Sequence, residues 1–344
     1  MKILKQVLGV DVAQKELVVS LGRMNEDLSH EVYAKRVFQN KESGFAALAK
    51  WVKKQSSCEI VVRYVMEATG VYHQKFAYYL EENGHELSIV MPNKISNYMR
   101  SLDTKTITDL TCADAITRFG LERKLDRWKR PKDIYRNLQQ LTRERDQIVD
   151  ERVAVKNQLH AEKSEAMPNP NSINRLRARI RFLTKQEQEI KRDIDNCVAE
   201  DESVQEEIKI LTTIPGVGNL TAAIVLAETN GFELIRNRKQ LTSYAGLDVK
   251  EKQSGTSIKC KPRISKKGNK SLRKAMHMPA LVAVKHNQRF KITYARLVSK
   301  NGIKMKGLVA IQRKILELMY TLFKNKTTYQ SDYEEKKRAS ITSN

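Results

Sequence analysis

The sequence predicts an α/β domain built on a mixed sheet, followed by a long helical hairpin and a mainly helical C-terminal domain. Three observations carry that expectation. Short β-rich runs alternate with helical spacing over the first third of the chain. Apolar residues then recur at heptad spacing on either side of Pro168-Asn-Pro-Asn-Ser172. Beyond about Ile208 the chain reads as a separate helical domain.

The elements follow in order. Residues 7–12 and 16–21 are short apolar runs around a turn, and 32–38 read as a third strand. Residues 42–54 carry Phe45, Leu48, Trp51 and Val52 at helical spacing. A β-rich run at 59–66, a helix at 74–82 and a strand at 87–91 complete the pattern. Three sequential strands, a helix and then strand–helix units give a mixed sheet with helices on its faces, an order that fits an RNase H-like fold. From 131 to 206 the chain is helical, with Ile134, Leu141, Ile148 and Val155 on one heptad stripe. The adjoining seam holds Leu138 and Leu159, with Arg145 and Arg152 between them. After the proline break, Ile173, Leu176, Ile180, Leu183, Ile190 and Ile194 resume a stripe. An antiparallel coiled-coil hairpin accounts for this, with an exposed stripe suited to dimerisation. The two seam arginines leave an ordinary helical bundle open. The expected domains are 1–128, 129–206 and 207–328, with a polar, frayed tail at 329–344.

Composition narrows the function. A net charge of +23 with 30% charged residues implies a polyanionic partner, because each cation placed near a phosphate releases condensed counterions. A ribosome-associated or merely basic protein is the bland alternative. Aromatic residues make up only 6%, which disfavours a single-strand binder built on base stacking. Cys58, Cys112, Cys197 and Cys260 lie far apart, so no zinc site is expected and the chain reads as a reduced intracellular protein. Neither a membrane-length apolar run nor a signal peptide is evident, and a cytoplasmic, nucleoid-associated location is expected.

The chemistry is read from four places. Asp11 and Glu67 end apolar runs that are neighbours in an RNase H-like sheet, so their carboxylates are expected at one rim, placed to share Mg²⁺. Each alone also reads as a turn former or cap. Asp109 and Asp114 stand near the start of a helix running toward Leu121, where they are expected as further ligands and where Thr108 or Asp109 also reads as its cap. Five positions apart, the two acids point about 140° apart on a regular helix. Ile214-Pro-Gly216-Val-Gly218 is a helix-hairpin-helix signal in which Gly216 and Gly218 expose backbone amides as a phosphate cradle; a plain packing turn is the alternative. Finally, Ser254-Gly255 lies just before Lys259, Lys261, Arg263, Lys266, Lys267, Lys270 and Arg273. A loop serine there suits a nucleophile and the cations suit phosphate contacts, although a simple turn fits too and Ser257, Ser265 and Ser271 compete.

Taken in this order, the blocks Gly9-Val-Asp11-Val, Met66-Glu67-Ala-Thr-Gly70-Val-Tyr, Lys105-Thr-Ile-Thr-Asp109, Phe119-Gly120, Ile214-Pro-Gly-Val-Gly218, Tyr244-Ala-Gly-Leu, Ser254-Gly255 and Arg263 to Arg273 resemble the DEDD-type insertion-sequence transposases, which include the Piv/MooV DNA invertases. The resemblance spans residues 5 to about 325. It implies a RuvC-like N-terminal domain, a coiled coil and a C-terminal serine transposase domain. It also implies an RNA-guided recombinase, in which a structured noncoding guide RNA pairs with target and donor double-stranded DNA. Asp11, Glu67 and Asp109 match metal-binding acids, with Mg²⁺ as the implied cofactor. Ser254 matches the nucleophile that bonds covalently to a DNA 5′ phosphate, a link that stores the broken bond's energy without ATP. Domains from different protomers build each site, which implies a homo-oligomer, a dimer or a dimer of dimers. The family pattern Thr-Asp-x-x-Asp-Ala places its second acid three residues after the first. Cys112 holds that position here, and Asp114 is the nearest carboxylate, able to substitute if the helix starts late or is distorted. A guide-independent invertase, a catalytically decayed DNA/RNA-binding remnant and a Holliday-junction nuclease remain as alternative readings.

Overall fold

The computed structural model describes residues 2–331, apart from Thr69, Asp103, Thr104, Leu234, Lys252, 255–257, Cys260 and Lys261; for Gln253, Ser254, Ile258, Lys259 and Asn301 it describes the backbone alone. The expected polar tail therefore lies almost wholly outside the described residues, as does Lys261. The chain divides into two compact units, Met1–Arg130 and Pro131–Asn344.

In the first unit, β1 (Ile3–Val12), β2 (Glu16–Asn25) and β3 (His30–Gln39) form an antiparallel meander. β4 (Val62–Glu67) and β5 (Glu86–Val90) add in parallel on the other side of β1, giving the order β3-β2-β1-β4-β5. That mixed order is RNase H-like, as expected. Alternation along β1 decides which helix covers which face. Leu8, Val10 and Val12 pack with Phe45, Leu48, Phe76 and Leu80 of α1 (Glu42–Gln55) and α2 (Gln74–Glu82). Val7 turns the other way, toward α3 (Pro92–Ser101) and α4 (Asp109–Glu122), and clusters there with Val65, Ile95, Ala115 and Ile116. The fourth strand starts at Val62, later than the expected 59, for a local reason. The buried Gln6 side chain donates to the Ser57 and Ile60 carbonyls (3.0 and 2.7 Å), occupying backbone that would otherwise enter the ladder.

In the second unit, α5 (Asp133–Ser164) and α6 (Pro170–Ala199) form the expected hairpin. Asn169 caps α6 by accepting from the Asn171 and Ser172 amides, and Pro170 at the first helical position needs no donor partner. The seam arginines have a clear purpose. Arg145 and Arg152 both meet Glu187 across the seam, and Lys191 approaches it from one turn away. Burial alone would raise the Glu187 carboxyl, but hydrogen bonds from Lys191 and Arg145 outweigh it and hold the group at about 2.

The helices that follow are α7 (Glu202–Thr212), α8 (Asn219–Thr229), α9 (Arg238–Tyr244), α10 (Lys270–Ala275), α11 (His277–His286), α12 (Gln288–Asn301) and α13 (Lys304–Asn325). They share one core with the hairpin, in which Leu138, Leu183 and Ile194 join Val204, Leu226 and Ile315. The hairpin expected as a separate 129–206 domain is thus part of the C-terminal unit, and much of the stripe expected on its surface is buried in that core. Four two-residue strands, β6 (Val249–Lys250), β7 (Gln253–Ser254), β8 (Ile258–Lys259) and β9 (Arg263–Ile264), pair as a nested arm between α9 and α10. Among the described residues no helix is long and apolar enough to cross a membrane.

Candidate functional site

Strand register brings the first two acids together. Val10 pairs with Met66 in the parallel β1–β4 ladder, so Asp11 and Glu67 follow side by side. Alternation puts both on the face that α4 covers, since Val7 and Val65 point there. A glycine lets α4 come close. A Cβ on Gly9 would lie 2.4 Å from the Thr117 amide nitrogen and 2.6 Å from the Ala113 carbonyl oxygen. The buried Thr117 hydroxyl accepts from the Gly9 amide at 3.1 Å and lies 2.8 Å from the Ser20 carbonyl, fastening helix to sheet.

The N-terminus of α4 delivers the third acid. Thr108 is the N-cap, its hydroxyl accepting from the Thr111 amide at 3.3 Å, and Asp109 opens the helix. Asp11, Glu67 and Asp109 repel one another. Burial first, then Asp109 and then Glu67 push the Asp11 carboxyl up to about 6, against the pull of a backbone hydrogen bond from Val12.

The helix starts on time and is regular, which decides between Cys112 and Asp114. Cys112 is half-buried in the acid cluster; burial and then Asp11, Glu67 and Asp109 all raise its thiol, which keeps it neutral. Asp114, expected as a metal ligand, is not brought to this cluster. It accepts from the Ser20 hydroxyl at 2.6 Å and pairs with Lys35, both on strands β2 and β3. The helical angle between positions 109 and 114 sends it there.

The three carboxylates offer hard oxygens, the donor chemistry a divalent cation takes. Their present spacing is another matter: among the described residues, no three His, Cys, Asp or Glu side chains are gathered closely enough to hold a metal. A bound cation would have to draw Asp11, Glu67 and Asp109 together.

The second unit holds the remaining candidates. Ser254 pairs with Ile258 near the tip of the arm, and its side chain lies outside the described residues, as does that of Lys259. Arg263, Lys266, Lys267 and Lys270 are exposed, as phosphate contacts require. Arg273 is only half-exposed and donates to the Ala245 carbonyl at 2.8 Å, a structural use. The two turn glycines also part company. Gly218 is the exposed N-cap of α8 with open space around it. Gly216 has φ +89°, and a Cβ there would lie 2.4 Å from the Pro279 carbonyl oxygen, so this position needs glycine for the turn to pack against α11.

Sequence reasoning missed Glu228. Its side chain is 0% exposed, accepts from both Arg143 Nε and Nη2 at 2.8 Å, and receives Asn269 Nδ2 at 2.6 Å. One signal was available: a single acid in the apolar run Ala-Ala-Ile-Val-Leu-Ala must find partners if buried.

With this geometry in place, likenesses to known proteins are informative. The family model for DEDD transposases of the IS110 type matches residues 8–168, and the one described as "Transposase IS116/IS110/IS902 family" matches 208–295. The pilin gene-inverting protein of Moraxella bovis is 27% identical over 96% of this chain and 99% of its own length. The transposase for insertion sequence element IS1328 of Yersinia enterocolitica is 26% identical over 64% of this chain and 70% of its own. A solved structure of RuvC from Thermus thermophilus with a Holliday junction substrate covers 36% of this chain and 100% of its own at 12% identity, with a TM-score of 0.26. The two family models fall on the two structural units, the first running on into the hairpin, and the relatives align with both; the chain belongs to the IS110-type family of insertion-sequence transposases.

Proposed function

We propose that this chain is a DNA recombinase that cuts and rejoins strands through Ser254, assisted by a metal held by Asp11, Glu67 and Asp109. The observation that carries the reading is the strand register that sets Asp11 beside Glu67 at one corner of the sheet, with Asp109 at the start of α4 near enough to help raise the Asp11 carboxyl. Like charges gathered at one corner of a sheet suit a site that manages phosphoryl charge. A divalent cation such as Mg²⁺ bound there supplies charge neutralisation to the phosphate oxygens. In the proposed step, the Ser254 hydroxyl oxygen bonds to phosphorus and the bond to the 3′ oxygen breaks. The serine proton leaves with the freed 3′ hydroxyl, and the 5′ phosphate stays on the serine. Attack by a new 3′ hydroxyl reverses these changes and rejoins the strand. Arg263, Lys266, Lys267 and Lys270 hold the DNA backbone, and the exposed N-cap Gly218 is a further candidate contact.

We further propose that the working form is a homo-oligomer and that a structured noncoding RNA selects target and donor DNA. The net charge of +23 suits several nucleic-acid strands at once. A second reading, a guide-independent invertase, is favoured by the near full-length likeness to a pilin gene-inverting protein. Sequencing RNA that co-purifies with the protein in the presence of its native flanking DNA separates the two. One structured transcript from that flank supports guidance, and scattered cellular RNA supports the invertase. The chemistry is tested by incubating the protein with that DNA and trapping protein–DNA adducts in detergent. The wild type should form an adduct, Ser254→Ala none, and Asp11→Asn or Glu67→Gln only traces. An adduct that persists in Ser254→Ala would overturn the nucleophile assignment.

A further inference from the structure

The arm that carries Ser254 has two roots, and they are bonded to each other. The Lys266 amide donates to the Gly246 carbonyl at 3.1 Å, the Ser265 amide to the Asp248 carbonyl at 2.8 Å, and the Asn269 amide to the Tyr244 carbonyl at 2.7 Å. Strands β6 and β9 continue the pairing outward from these contacts. Both roots end on one residue. The Tyr244 hydroxyl donates to the backbone carbonyl of Glu228 at 3.0 Å, and the Asn269 amide donates to its carboxylate at 2.6 Å. That carboxylate is also held by α5. Arg143 gives it two hydrogen bonds and Gln139 a third, at 3.2 Å. A second link runs in parallel, from Lys274 of α10 to Asp150 of α5 at 2.8 Å.

We infer that Glu228 is a positioning residue for Ser254, stapling both roots of its arm to hairpin helix α5. The inference rests on the reading of Ser254 as nucleophile and adds to it what aims that nucleophile. The Glu228 side chain is fully buried while Arg143 is half exposed, and a carboxylate withdrawn from water contributes little net stability over an apolar replacement, so cohesion alone does not account for it here. What a bidentate Arg–carboxylate contact supplies is direction: two parallel hydrogen bonds fix the carboxylate plane, and that plane fixes Asn269. Asn269 in turn caps α10, its Oδ1 accepting from the Leu272 amide at 2.8 Å, so arm, basic loop and hairpin share one register. An in-line attack tolerates little error, since a displacement of about 1 Å costs on the order of 100-fold in rate.

The test uses the full chain with a supercoiled plasmid carrying its native flanking DNA. Asn269→Ser keeps a residue able to cap α10 and removes the donor to Glu228. Glu228→Gln, a second variant, keeps the shape and removes the charge that holds Arg143. Adduct formation at saturating DNA, DNA affinity with its salt dependence, and thermal melting are measured for each. The expected result is a fall in maximal adduct rate of about 100-fold, with affinity and salt slope within about twofold of wild type. An unchanged adduct rate in both variants overturns the inference while the serine reading stands. A rate that falls only in proportion to the folded fraction also overturns it, because Glu228 would then be structural. Absence of any adduct from the wild-type chain overturns the serine reading and this inference together.

Discussion

Replacing Asp11 with Asn should stabilise the metal-free N-terminal unit while abolishing strand cleavage. In the folded chain the Asp11 carboxyl stands at about 6 against an ordinary 3.8, pushed there by burial and by Asp109 and Glu67. At about 1.4 kcal/mol per pKa unit, that displacement corresponds to about 3 kcal/mol of destabilisation when the group is ionised. Asp11 is only half-buried, so solvent screening reduces the figure to about 1–2 kcal/mol. The sign follows from linkage. The folded state holds this proton more tightly than the unfolded chain, so the contribution of Asp11 to stability is greatest below pH 3.8 and is lost as pH rises through 6. Asp11→Asn should therefore gain its full advantage at pH 8 and none near pH 3.5. Both tryptophans, Trp51 and Trp128, lie in the N-terminal unit, so urea unfolding followed by tryptophan fluorescence reports that unit alone. Measurements in a chelator between pH 4 and 8 give the pH dependence, and added Mg²⁺ should narrow the gap by relieving the same repulsion. A variant that is destabilised at pH 8, or stabilised equally at every pH, would refute the argument that these acids repel.

Gly9→Ala should destabilise the same unit by about 3 kcal/mol, because its new methyl group meets α4 backbone 2.4 Å away and neither element can yield cheaply; the same fluorescence assay reads it. Glu187→Ala should cost about 1.5–3 kcal/mol by leaving the partly buried Arg152 without its anion and Arg145 with Asp146 alone, whereas replacing Glu187, Arg145 and Arg152 with apolar residues should be near neutral; urea unfolding by far-ultraviolet circular dichroism compares them. Cys112→Asp should tighten Mn²⁺ binding about tenfold in calorimetry and lower metal-free stability at pH 8, since it adds a fourth charge where Asp11, Glu67 and Asp109 already raise the thiol. Lys266→Ala with Lys267→Ala should reduce the slope of log affinity against log salt by about 2, measured by DNA titration across ionic strengths.

The parts of this molecule that repeat a local rule were legible in its sequence. Strand order followed from short apolar runs, and the Asp11–Glu67 pairing from the parallel neighbours that this order dictates. The helix at 74–82 was placed at its observed bounds, Gln74–Glu82. The parts that depend on tertiary partners were not. Arg145 and Arg152 looked like flaws in a heptad seam until Glu187, far along the chain, supplied the anion that makes them part of it. Asp114 looked like a spare ligand because spacing says nothing of Lys35 and Ser20, which claim it from the opposite side of α4. The nearest hint was the angle between positions 109 and 114, and that hint was correct. Gly216 shows the same limit: its turn was readable, but the pressure of α11 against it was not.

Among the described residues, Glu187 and Glu228 are buried and Asp11 half-buried, and the fold handles these carboxylates in three ways. Glu187 is surrounded by Arg145, Arg152 and Lys191, and its carboxyl sits at about 2, ionised under all ordinary conditions. Glu228 is fully enclosed and meets an arginine, a glutamine and an asparagine, each a donor. Both are settled, as buried charge must be if it only holds a structure. Asp11 is different, since the groups that act on it most, after burial itself, are two more acids. A fold that compensates two carboxylates so thoroughly has the means to compensate a third. That it leaves Asp11 beside two further acids, at the meeting of β1, β4 and the N-terminus of α4, is the contrast on which the proposed metal site rests.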